Sequence, residues 1–164
     1  MQTDYKTQLS ENMSTEEKEK IIEAIEFIKI QTPDLNEKKI LEKIELANAL
    51  AGIKADISTI LCAILDSESN SEIEIERKFG KETLFVLKSK KKFKDTLSKY
   101  ENAYDSNPEL KKVLYFSLTK NLKLLLLTIT EKYCELKKIK KLQKEEGEQL
   151  AKEAQEIFIP LMHK

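Results

Sequence analysis

The chain has 164 residues, equal numbers of acidic and basic side chains (29 each) and a net charge of zero. No global field draws it to nucleic acid or to an anionic membrane. Charged residues make up 35% and apolar residues 40%, with only three Gly and three Pro, a balance that suits a soluble helical protein able to bury a core within one domain.

Residues 1–13 show no periodicity and read as a flexible N-terminal segment, leaving 14–164 as the folded domain. Ser14 followed by Glu17 is a capping box that starts a helix. Ile21, Ile22, Ile25, Phe27 and Ile28 give it one broad apolar face, and Thr32-Pro33-Asp34 ends it. A second helix spans about 36–51, with Ile40, Leu41, Ile44, Ala47 and Leu50 at helical spacing and Gly52 as its C-cap. Asp56 or Ser58 caps a third helix, about 57–65, that is apolar almost all round and therefore central. The polar run Asp66 to Ser71 breaks it.

Short helices are expected over 71–79, ended by Gly80, and over about 82–88. The segment 89–94 is strongly basic. Its lysines and Lys88 would meet phosphates, but such a run is more often a solvated surface. Pro108 opens a long helix, 121–142 forms another, and a last one runs from about 145 to 159 and stops near Pro160. On that last helix Ile157 faces the core, while Phe158 and Leu161 are expected on a partly exposed side. Cys62 and Cys134 read as buried thiols of a reducing compartment. The first 19 residues lack an apolar signal core, and the run 122–129 is too short to span a bilayer, so the expected location is cytoplasmic.

Three segments, in this order, resemble the hydrolase domain of the RelA/SpoT-type alarmone synthetase-hydrolases. Thr59-Ile-Leu-Cys-Ala-Ile-Leu-Asp-Ser67 is similar to that family's apolar helix ending in a His-Asp pair, and Arg77-Lys-Phe-Gly-Lys-Glu82 to the turn behind it. Asn121 to Leu136 resembles the helix bearing a later metal-binding aspartate. Leu150 to Lys164, ending Glu156-Ile-Phe-Ile-Pro-Leu-Met-His-Lys164, resembles the exit helix that links hydrolase to synthetase.

The resemblance covers roughly 35–164 and implies an all-α, HD-domain-like helical bundle of about seven to nine helices. It also implies a synthetase domain lying beyond this chain. In that family a divalent metal, typically manganese, sits between an upstream histidine, the His-Asp pair and the later aspartate. Here the upstream histidine falls near Ile40, and the pair on Asp66 and Ser67. The carboxylates that activate water fall on Asn70 and Ser71. The later aspartate falls on Glu131, with Cys134 and Glu135 at the histidine and asparagine beyond it. The only histidine in the chain is His163, at a linker position.

These positions carry no catalytic, cofactor or metal assignment: imidazole supplies affinity for a transition metal, and none remains. Asp66 and Glu131 alone would make a weak, hydrated magnesium or calcium site at best. The expectation is therefore a degenerate, catalytically inactive HD-type regulatory domain of a synthetase of guanosine tetra- and pentaphosphate. Its partner would be an adjacent or separate synthetase domain, with guanine nucleotide a weak ligand. Two alternatives stand: a diverged, active metal-dependent nucleotide pyrophosphohydrolase using Asp66 and Glu131, and a stand-alone helical interaction module.

Overall fold

The computed structural model describes residues 4–67 and 70–163, with Asp105 and Ser106 described by their backbone alone. Glu68 and Ser69 of the polar run, and Lys164 of the final segment, lie outside the described residues. The protein is all-α: the described residues form helices and no strand. They group into two compact units, Met1–Lys88 and Ser89–Lys164, and the division falls inside one helix.

In the first unit, α1 (Thr15–Gln31) starts at the predicted capping box: Ser14 Oγ accepts from the Glu17 amide, and the Glu17 carboxylate accepts from the Ser14 amide. α2 (Glu37–Gly52) is capped by Asn36. Gly52 is not its left-handed residue. That conformation falls on Lys54, at φ 57°. α3 (Ile57–Leu65) begins at Asp56, whose carboxylate accepts from the Thr59 amide at 2.8 Å and from the Ser58 hydroxyl at 3.0 Å. Every residue from Ser58 to Leu65 is buried.

α1 and α2 both pack on α3, supplying Ile21, Ile25 and Ile28 from one and Ile40, Ala47 and Leu50 from the other. α4 (Glu72–Phe79) ends at Gly80, whose φ of 91° needs a residue without Cβ. Phe79 meets Phe27 edge-on, with ring centroids 5.5 Å apart.

Residues 4–13, expected to be loose, carry a 3₁₀ turn (Tyr5–Gln8), and Leu9 and Met13 are buried. Asn48 of α2 holds this segment at both ends of its amide: it accepts from the Ser10 amide at 2.8 Å and donates to the Gln8 carbonyl at 2.9 Å. Two apolar side chains and one two-ended amide thus anchor a stretch that has no period of its own.

α5 (Lys81–Lys99) runs straight through the basic segment expected to follow a short helix. Thr83, Val86 and Lys90 are buried on it, with Phe93 and Leu97 next on the same stripe. The lysines between them are good helix formers, so nothing in their chemistry breaks it.

In the second unit, α6 (Glu101–Ser106) and α7 (Pro108–Phe116) lead to a 3₁₀ turn and then to α8 (Leu122–Lys137), capped by Asn121. α8 stops five residues earlier than expected, and Ile139–Lys141 form a 3₁₀ turn. α9 (Lys144–Glu153) continues through a π-helical turn, Ala154–Phe158, into α10 (Ile159–Met162). Counted as one run, α9 to α10 brings the helices among the described residues to nine.

Pro160 does not end this run. The Ile159 amide reaches back five residues to the Ala154 carbonyl, and the wider turn makes room for a proline ring that a regular helix would exclude. Phe158 and Leu161, expected partly exposed, are buried at 3% and 1%. Positions 154, 157, 158 and 161 form one apolar stripe, so both join Tyr115, Leu118, Leu124 and Ile157 in the core. The exposed large apolar side chains of this end are Ile159 and Met162.

Ile64, in the last turn of α3, is fully buried. Ile64→Ala should lower the unfolding free energy by about 2–5 kcal/mol in urea titration. A loss below about 0.5 kcal/mol would mean that α3 is not the centre of its unit.

Candidate functional site

The residues singled out by the sequence fall in two places, one in each unit. In the first unit they gather where α3 ends. Asp66 is the C-cap of α3, its amide bonded to the Cys62 carbonyl at 3.1 Å, and the chain leaves in extended conformation. The Asp66 carbonyl accepts from the Lys43 ammonium, reaching over from α2, at 2.8 Å. The Ser67 and Thr32 hydroxyls lie 3.4 Å apart.

Asn70 turns its amide nitrogen to the Leu65 carbonyl, one of the orphan acceptors at the helix end. Its own carbonyl oxygen is buried with no hydrogen-bond partner. Ser71 stands at the N-cap of α4 without a side-chain capping bond. Asp66, Ser67, Asn70 and Ser71 are all half-buried, so one helix end does bring these four together. Ile40, where the resemblance sets the upstream histidine, is 1% exposed and belongs to the apolar core.

In the second unit the residues lie on α8. Glu131 is half-buried, and its carboxylate accepts from the ammonium of Lys90 on α5. Cys134, one turn on, is buried. Glu135 points to solvent and pairs with Lys132 at 3.0 Å. His163 is exposed in the turn after α10.

Two lysines at these acids were not tied to them by the sequence. Nothing local distinguishes Lys43 from a surface lysine. Lys90 did leave a signal. It stands at the third place of the stripe Thr83, Val86, Lys90, Phe93, Leu97, where an apolar residue is the rule. The surrounding lysines hid that period.

The donor chemistry of this set does not suit a transition metal. Its side-chain donors are carboxylate, hydroxyl, amide and thiol, without imidazole. One acid is engaged by an ammonium, and a second ammonium sits on the main chain of the other. Among the described residues, no three His, Cys, Asp or Glu side chains come together as a metal-binding group. No helix among the described residues is long and apolar enough to cross a membrane.

Among the described residues the fold is all-α, with an apolar central helix that ends at an acidic C-cap. The sequence profile of the HD domain family matches residues 23–164, and the chain belongs to that family.

Metal content tests the donor argument. Untagged protein, dialysed and analysed for manganese, iron and zinc, should carry much less than one equivalent of any. One equivalent that disappears in Asp66→Ala or Glu131→Ala would show that these acids do hold a metal.

Proposed function

We propose that this HD domain is catalytically inactive and regulatory. It sets the resting state of a synthetase of guanosine tetra- and pentaphosphate, in the manner of the RelA/SpoT-type proteins it resembles. The observation that carries the reading is the engagement of Glu131 by Lys90 in a chain whose only histidine is exposed His163. Metal-assisted hydrolysis needs a Lewis acid with an open coordination position and a base beside its water. An ammonium is a donor only and has no such position. Asn70 and Ser71, at the places of the water-activating carboxylates, take up no proton at neutral pH.

Regulation would work by two alternative arrangements of this domain and its partner, each favoured by different contacts. The partner is a synthetase domain, adjacent in the chain or separate, and guanine nucleotide is a weak ligand of the domain. The exposed Ile159 and Met162, on the helix that leads outward in the resembling proteins, are the side chains that such a partner would cover. Buried cysteines, Cys62 and Cys134, fit a reducing cytoplasm.

The test is hydrolysis. Purified protein with guanosine tetraphosphate and manganese should release no pyrophosphate above the protein-free rate. Each tenfold of lost rate corresponds to about 1.4 kcal/mol of barrier, and losing both metal and base removes many such factors. Turnover that scales with protein concentration and vanishes in Asp66→Asn would replace this reading with that of an active, diverged pyrophosphohydrolase.

A further inference from the structure

Lys90 is the most unusual residue in the second unit. It is 2% exposed, although lysine is almost never fully buried without a partner. Taking an ammonium out of water costs several kcal/mol, which an opposite charge in good geometry offsets. An apolar side chain is the rule at this place, between Val86 and Phe93. The side chain kept there instead meets Glu131, itself on the α8 face that buries Leu127, Thr130 and Cys134. Two apolar stripes thus each contain one charged residue, and the two charges meet.

Its position gives the pair a further meaning. Glu131 stands where the resemblance places the later metal-binding acid. We propose that the Lys90 ammonium is a built-in cation for this carboxylate, doing with a covalently attached charge what a divalent metal does elsewhere: neutralising the acid and tying its helix to a neighbour. The domain then holds this acid without metal, with one of its carboxylate oxygens taken by the ammonium. The inference rests on the reading of Glu131 as the counterpart of that metal-binding acid. It specifies what replaced the metal, where the proposed function states only that hydrolysis is lost.

Thermal unfolding of the whole chain tests it. Lys90→Met keeps the length and removes the charge, leaving Glu131 half-buried and without this ammonium; the melting temperature should fall by about 10 °C. The double variant Lys90→Met/Glu131→Met should regain most of that loss, because two apolar residues suit the two stripes. If Lys90→Met fails to fold, the double variant should still fold. Lys90→Ala should be raised by added propylammonium, which fills the vacated space with the same charge, and the wild type should not.

Manganese should leave the wild-type melt unchanged. The inference is overturned if Lys90→Met melts with the wild type, or if the double variant is no more stable than Lys90→Met. It is also overturned if manganese stabilises the wild type through Glu131, seen as loss of that effect in Glu131→Gln. Pyrophosphate release, measured on the same preparations, separates the two claims: turnover with the coupling intact defeats the inactive-domain reading alone, and absent coupling without turnover defeats only the lysine replacement.

Discussion

The first unit depends on a nine-residue helix with no solvent face. α3 buries Ser58 through Leu65, so it must be covered from all sides, and α1 and α2 do much of that. A helix this apolar cannot end inside the core, because its last carbonyls need partners. The polar residues at its C-terminus answer that need. Asp66 caps it, Asn70 donates to the Leu65 carbonyl, and Lys43 takes the carbonyl of Asp66. The polar cluster is therefore in the first instance a solution to helix termination.

The helices were legible wherever a signal was local. The Ser14/Glu17 box, the choice of Asp56 or Ser58 as a cap and the continuous apolar run of α3 each specify their own structure within a few residues. Three features departed from the expectation. The N-terminal segment is fixed by Asn48, about 40 residues away in the chain, and an amide that bonds two main-chain groups leaves no pattern in the sequence around it. The passage through Pro160 depends on a π-helical turn, which a rule about proline in regular helices does not anticipate. The burial of Phe158 and Leu161 was in principle readable, since 154, 157, 158 and 161 are spaced as one face.

The candidate site was legible in an uneven way. Asp66, Ser67, Asn70 and Ser71 follow one another in sequence, so their gathering at one helix end is a local fact. The state of Glu131 was not. Its partner lies 41 residues earlier, in a run where lysines at neighbouring positions conceal the one that turns inward. Composition favours the solvated reading of such a run, and it holds for Lys91, Lys92 and Lys94, which are exposed. Only the three- and four-residue spacing of Thr83, Val86, Phe93 and Leu97 separates Lys90 from them.

Both acid positions of the candidate site lie beside a lysine, and the physical consequence differs between them. Lys43 approaches the main chain of Asp66, a contact that supports the helix end. Lys90 approaches the carboxylate of Glu131 itself. A bound divalent ion is exchangeable: chelation, pH or a competing metal removes it, and the charge it balanced returns as repulsion. A lysine tethered in a helix stays in place under all of these, yet it can neither polarise a phosphoryl oxygen as a metal does nor lower the pKa of a water by coordinating it. Replacing one by the other exchanges catalytic capacity for an arrangement that is constant whatever the metal supply. For a domain whose work is to present a surface to a neighbour, constancy is the useful property. For a hydrolase the same exchange would remove the Lewis acid that its chemistry needs.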